Sequence, residues 1–316
     1  MKLTMWFLSA AMVFSNACAL AKSELANSIE KFNEIERSDD RSNDFPAPLD
    51  AQFEKIQIVA EGMAIGDISD DDLNAYFAAA NTISVYTMKP AYARQMRTVL
   101  DELERRQLAT PTMRQQMLDG YTSARMLDDS RNFAAGPDNA GLKPLPAMRD
   151  ESLAEGSLTL WRVQDAGQTL VRHDFNLTDR PVLIVLAPPG CGFSRKAAED
   201  IAKEGDLFEL MARHSIWLMP QSDIPDASVL NVWSTSQPGW PRELIHLNSE
   251  WPFIDFNLSP GFYFLENGKV TSHVQGWPGP EKLAELREGF RKIGIHAASS
   301  YCALSAESAA GKSTQR

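Results

Sequence analysis

The sequence predicts an all-α region followed by an α/β domain, and three observations carry that expectation. Apolar residues recur at helical spacing from residue 52 to about residue 127, then give way beyond residue 157 to strand-like runs. Between the two, residues 132–150 hold Gly136-Pro137, Gly141, Pro144 and Pro146, which is the composition of a linker. At 316 residues the chain has room for two domains. A formal net charge of -11 with no basic cluster argues against nucleic acid as a partner, because neutralising phosphates needs a basic face.

Residues 1–21 read as an export signal. Lys2 gives a positive start, an apolar stretch runs from Leu3 to Phe14, and Ala19-Leu20-Ala21 is a small-x-small cleavage site. Ser15-Asn16-Ala17 before Cys18 is a poor lipobox, so Cys18 is expected to leave with the signal. The mature chain then keeps Cys191 and Cys302, in a compartment where disulfides persist. No later apolar run is long enough to span a membrane. Residues 22–50 are polar and charged with weak periodicity, and read as a frayed helix or flexible lead-in.

The helical domain is expected over 51–131. Ser69 followed by Asp70-Asp71-Asp72 is a helix start, and Leu73, Tyr76, Phe77, Ala80, Ile83 and Ser84 follow on one face. Pro90 suits the first turn of the next helix, which carries Met96, Val99, Leu100 and Leu103. Thr110-Pro111 pairs an N-cap with a first-turn proline before Met113, Met117 and Tyr121. These Met and Tyr residues read either as core or as the lining of a partner groove. Helices of similar length with short breaks suggest stacked antiparallel hairpins.

The α/β domain is expected over 151–296, with a disordered tail over 297–316. Leu158–Val163 and Thr169–Arg172 flank the hairpin signal Asp165-Ala166-Gly167-Gln168. Val182–Ala187 is apolar on both faces, as a central strand covered by helices on each side would be. A helix from about Arg195 to Arg213 and the strand Ser215–Met219 follow. Pro220–Leu258 reads as irregular, with Trp233, Trp240 and Trp251 either covering the site's edge or simply packed. Gly261–Leu265 and Val270–Val274 form a hairpin about Asn267-Gly268, and Pro280–Ile293 is a closing helix.

The chemistry concentrates at Pro188-Pro189-Gly190-Cys191-Gly192-Phe193-Ser194-Arg195-Lys196. A strand, a tight turn with a cysteine at its tip, and a helix start favour thiolate over thiol, assisted by Arg195 and Lys196. A single thiolate can attack a disulfide and form a mixed disulfide, which only a second thiol can release. The bland alternative is a cysteine on a scaffold without catalysis. Ser194 either donates to the thiolate or caps the helix. His173, His214, His246, His273 and His296 have no metal-ligand spacing, and no glycine-rich phosphate loop is present, so no metal or cofactor is expected.

Taken in order, Cys191 after the apolar strand, Ser259-Pro260 before Gly261–Leu265, and Asn267-Gly268-Lys269 resemble the thioredoxin-like superfamily over about 157–293. The run from Ser259 to Val270, with Gly276-Trp277-Pro278, looks most like the periplasmic disulfide isomerase and TlpA-type branches. The resemblance implies a cis-proline at Pro260 that faces Cys191 and helps hold substrate backbone. It assigns Cys191, Ser194 and Pro260 as catalytic, with Gly190, Gly192, Phe193 and Ser259 binding substrate. Cys302 reads as a distal resolving cysteine or an incidental thiol.

The tetrapeptide Cys191-Gly192-Phe193-Ser194 is identical to that of monothiol glutaredoxins, which use glutathione and can bridge an iron–sulfur cluster. The surrounding chain departs from them, with no lysine shortly before the cysteine and Val274-Gln275-Gly276-Trp277 in place of their Gly-Gly-Cys-Asp turn. Thioredoxins proper are not matched either: Ser194 replaces the resolving cysteine, and Val185 stands where they keep a buried acid. The expected function is therefore monothiol thiol–disulfide exchange in the periplasm, with exported protein thiols or disulfides as partners and an unidentified reductant. A catalytically silent binding module, using its helical domain for recognition, is the alternative.

Overall fold

The computed structural model describes residues 24–38, 45–143, 145–153, 157–178, 180–222, 227–236 and 239–296. The expected signal (1–21), the tail with Cys302, and Cys18 lie outside the described residues. The chain divides into two compact units between residues 144 and 145.

The first unit is helical: α1 (24–37), α2 (Ala47–Glu61), α3 (Asp70–Thr87), α4 (Pro90–Arg105), α5 (Pro111–Ser123) and α6 (Leu127–Ala134). The starts follow the sequence signals. Ser69 and Thr110 accept from the backbone N–H of Asp72 and Met113, each at 3.2 Å, and Pro90 and Pro111 open their helices. Tyr76, Met96, Met117 and Tyr121 are buried in the common core. Of the two readings of residues 22–50, frayed helix or flexible lead-in, the described part follows the first. Residues 24–37 are a helix, with Leu25, Ile29 and Phe32 buried at i, i+4 and i+7. Phe32 packs edge-on against Phe53 at 6.0 Å, and Gln52 Nε2 donates to Ser28 O at 2.9 Å. With Ile35 partly buried beside them, these few apolar residues hold α1 through packing on the rest of the helical core rather than through propensity.

The second unit is built on one sheet. Its strands are β1 (Ala147–Asp150), β2 (Leu158–Gln164), β3 (Thr169–Phe175), β4 (Val182–Leu186), β5 (Ser215–Met219), β6 (Arg242–Ile245), β7 (Gly261–Glu266) and β8 (Lys269–Gln275). They lie side by side in the order β1-β3-β2-β6-β5-β4-β7-β8. β4 is central, parallel to β5 (Leu183 opposite Ser215) and antiparallel to β7 (Val185 opposite Phe262). The two predicted hairpins form: Gln164 pairs with Thr169 and Glu266 with Lys269. Positive φ at Asn267 (50°) and Gly268 (74°) is what the Asn-Gly dipeptide supplies. β1, inside the expected linker, joins the sheet parallel to β3.

Side chains alternate along β4. Leu183 and Val185 face a core shared with Phe264 of β7 and with Ala197, Ile201, Met211 and Phe290, contributed by α7 (Gly192–Ala202), α8 (Gly205–His214) and α10 (Leu283–Lys292). Val182, Ile184 and Leu186 face a second core with Trp251, Ile254 and Tyr263. Helices on both faces of β4 were expected, and the structure corrects this. The second face is covered by the aromatic segment around Trp251, Phe253 and Phe256, whose bulk does what a helix face would do.

Two further differences come from tertiary context. The single helix expected near Arg195–Arg213 is two, α7 and α8, broken at Lys203-Glu204. Arg287 of α10 holds Glu204 and Asp206 at 2.7 Å each, which fixes the break. The stretch expected to be irregular contains α9 (Ala227–Thr235) and β6. β6 is four residues long and exists because β5 and β2 pair with it, not because of a local period.

Candidate functional site

β4 ends at Leu186, and Ala187 continues the ladder by donating its N–H to Leu218 O at 2.9 Å. Pro188 and Pro189 then turn the chain, and Cys191 N donates back to Pro188 O at 3.1 Å. Cys191 is the N-cap of α7 with extended backbone (φ -76°, ψ 117°) and no side-chain cap bond, so its sulfur is free to face outward. It is partly exposed and unpaired among the described residues. The residue after next, Phe193, is 63% exposed, an apolar ring left at the surface beside the thiol.

The opposite wall is the Ser259-Pro260 loop before β7. This peptide is cis. Ser259 reaches Cys191 twice: its hydroxyl lies 3.4 Å from Sγ, and the thiol faces Ser259 O at 3.8 Å. Pro260 is buried, and its carbonyl accepts from Gly276 N at 2.8 Å, which anchors the loop to the end of β8. Gly276 takes φ 69°, the left-handed region in which glycine is unstrained. Gly190 and Gly192 are exposed, with no side chain to shield the sulfur.

Burial raises the Cys191 pKa, but hydrogen bonds oppose it and win. The Ser194 and Ser259 hydroxyls and the N–H groups of Ser194 and Phe193 hold the thiol below its ordinary value. Ser194 is 4% exposed and its Oγ completes no hydrogen bond of good geometry. We read it as a donor poised for the thiolate and not engaged by the neutral thiol, which reconciles its isolation with its pull on the pKa. The flanking cations contribute less than the sequence suggests. Lys196 Nζ is drawn off to Asp200 at 2.7 and 2.8 Å, and Arg195 Nη1 lies 3.5 Å from Gly190 O.

Asp200, 4% exposed, is the acid that α7 does bury. Lys196 beside it, with Trp277 Nε1 at 3.1 Å and Lys203 at 3.2 Å, brings its carboxyl down to about 2. It is therefore an ionised tie between α7 and the Gly276-Trp277 turn. Val185 is fully buried in the core, so no acid stands there. Cys191, Ser194, Ser259 and Pro260 are brought together, while Cys302 lies outside the described residues. Among those residues no three His, Cys, Asp or Glu side chains group as metal ligands, and no helix is long and apolar enough to cross a membrane.

The cysteine thus sits between a central strand and a helix start, opposite a cis-proline loop, with β6-β5-β4-β7-β8 as the surrounding strand order. The second unit has a thioredoxin-like fold. The chain matches no protein-family model and no curated protein. Among solved structures it is similar to a thioredoxin-like protein from Bacteroides caccae, at 12% identity and a TM-score of 0.28, with 78% of this chain and 85% of that one covered. The fold assignment rests on strand order and connection, not on that likeness.

Sequence reasoning missed Trp217 and Arg242, which gather with Trp233 beside the cysteine turn. Arg242 lies 5.3 Å from the Trp217 ring centre and 5.7 Å from that of Trp233. Trp240, flagged from the sequence, stacks on Trp217 at 5.0 Å, whereas Trp251 is buried in the other core. Nothing local marks Arg242 in advance.

Proposed function

We propose that the protein carries out monothiol thiol–disulfide exchange through Cys191, acting on the thiols and disulfides of exported proteins in the periplasm. The observation that supports this best is a partly exposed thiol at the start of α7 whose pKa is lowered by surrounding donors. The Cys191 thiolate attacks one sulfur of a substrate disulfide. A Cys191–substrate bond forms, the substrate S–S bond breaks, and the leaving sulfur departs as thiolate. With Ser194 where a resolving cysteine would be, release requires a second thiolate, either from the same substrate or from an external thiol reductant. The first route rearranges disulfides with no net redox change, and the second reduces them at the reductant's expense.

Exposed Phe193 (63%) and Leu258 (48%) flank the Cys191–Ser259 contact in the chain and offer an apolar landing for an unfolded substrate. Export and loss of residues 1–21 are part of this reading, supported by the N-terminal sequence pattern. The mature protein should therefore begin at Lys22, as intact mass would show.

The test is to mix reduced protein with an excess of a disulfide joining two single-cysteine peptides, so that the captured half carries no second thiol, and to follow adducts by non-reducing mass spectrometry. The expected result is a Cys191 mixed disulfide that persists until a second thiol is added and is lost in Cys191→Ser. No adduct, or one resolved without added thiol, overturns the monothiol mechanism. No adduct together with capture of intact partners by Cys191→Ser would instead mark a silent binding module. A Cys191–Cys302 linkage in the mature protein would make Cys302 the resolving residue.

A further inference from the structure

The exchange chemistry leaves one built feature of the same unit without a task. Beside the cysteine turn lies a cavity of 510 Å³, walled by Pro188, Trp217, Val232 and Trp233 and reached by Ser194 and Arg242. Cys191 itself is not part of its wall. The volume falls in the range of small-molecule pockets, roughly 300–1,000 Å³.

Two of its polar groups are unsatisfied. Arg242 Nε and Nη2 are buried with no hydrogen-bond partner, and so is Ser194 Oγ. Among the described residues no carboxylate pairs with Arg242. The neighbouring Glu243 is already taken by Arg162 at 3.1 Å and His173 at 2.5 Å. Burial alone lowers the Arg242 pKa, to about 10, so the side chain remains charged at neutral pH. Arg242 as a whole is partly buried, but buried donors on a cation are costly unless something answers them. The two tryptophan faces supply partial compensation through cation–π contact, but they accept no hydrogen bond.

The walls are mostly apolar, and their other charged groups, Arg195 and Glu199, are exposed and opposite in sign, so that Arg242 leaves one net positive charge. That balance suits a monoanion with an apolar body better than a phosphate dianion. A planar guanidinium fork matches a carboxylate in particular. We propose that this cavity binds a small, mainly apolar carboxylic acid, its carboxylate paired with Arg242 and its body against Trp217 and Trp233. Occupancy would sit beneath the Pro188–Ser194 turn without occluding the sulfur. The proposal is independent of the exchange reaction, because nothing in it requires Cys191 to react.

The test is isothermal titration calorimetry on the full mature chain with three acids (benzoate, 4-phenylbutyrate and decanoate) and with the neutral amide of each. At least one acid is expected to saturate a single site, with its amide weaker by about tenfold or more. Arg242→Gln should remove that tenfold preference while leaving the weak amide binding in place. Val232→Trp should abolish both by filling the cavity. Should Arg242→Gln fail to fold, the acid–amide comparison on the unaltered protein still decides. Equal affinity for acid and amide, or no saturable binding of any of the three acids at millimolar concentration, overturns the proposal. Because Cys191→Ser should bind the same acid unchanged, failure here is distinguishable from failure of the exchange mechanism.

Discussion

Cys191 owes its character to short contacts of two kinds. The N–H groups of Phe193 and Ser194 come with the helix start and were legible in the strand–turn–helix pattern. The Ser259 contact joins positions 68 residues apart and was legible only through the resemblance of the Ser259-Pro260 run. Arg195 and Lys196 looked like the activating groups, yet Lys196 is committed to Asp200, a pairing within one helix that charge counting overlooks. Arg242 was not legible at all, because what marks it is two buried donors without a partner among the described residues, and sequence does not show that. A pH dependence follows. Since the folded pKa is lowered, the thiolate fraction, and with it the rate of alkylation by iodoacetamide, should rise through a midpoint below that of the same cysteine in the unfolded chain. Ser259→Ala removes a donor to the thiolate and should move that midpoint upward, with Ser194→Ala moving it in the same direction. Coincident midpoints for wild type and Ser259→Ala would show that the 3.4 Å contact carries no weight.

Elements with strong local signals formed as expected, and those that depend on neighbours did not announce themselves. Caps and first-turn prolines marked α3, α4 and α5, and Asn267-Gly268 marked the β7–β8 hairpin. α1 has three buried core positions and the partly buried Ile35, and β6 has four residues, so tertiary pairing decides both. Phe32→Ala therefore tests whether α1 belongs to the core. Loss of a fully buried phenyl ring should cost about 3–5 kcal/mol of stability in urea unfolding of the helical unit. A flexible lead-in would lose almost nothing. α10 gives a second test, in which two effects oppose one another. Gly289 lies in the helix interior, where alanine would favour helix by about 1 kcal/mol. A Cβ there, however, would come within 2.2 Å of the Phe264 ring on β7. Overpacking of that kind typically costs roughly 1–3 kcal/mol and should prevail, because Phe264 is itself locked against Phe290 at 5.3 Å. Gly289→Ala should thus lower stability despite its better propensity, and a rise in melting temperature would refute the close approach.

At the scale of the whole chain, the boundary was legible as proline and glycine composition, and it falls between residues 144 and 145. Each side has what a domain needs in order to fold alone. The helical unit has a continuous core running from Leu25 to Ala124. The second unit has cores on both faces of its sheet and short or polar outer strands: β1 has four residues, and β8 exposes Lys269, Val270 and Thr271. Cys191, the Ser259-Pro260 loop and the Arg242 cavity all come from residues after 186. A fragment comprising residues 145–296 should therefore fold without the helices. Its near-ultraviolet circular dichroism should retain the signal of the Trp217–Trp240 stack, and its thermal transition should be single and cooperative. Its Cys191 alkylation midpoint should coincide with that of the full chain, since every group that lowers the thiol pKa lies within it. A fragment that folds but shows a higher midpoint would mean that the helical unit acts on the thiol. The helices would then be part of the chemistry, not an appendage to it.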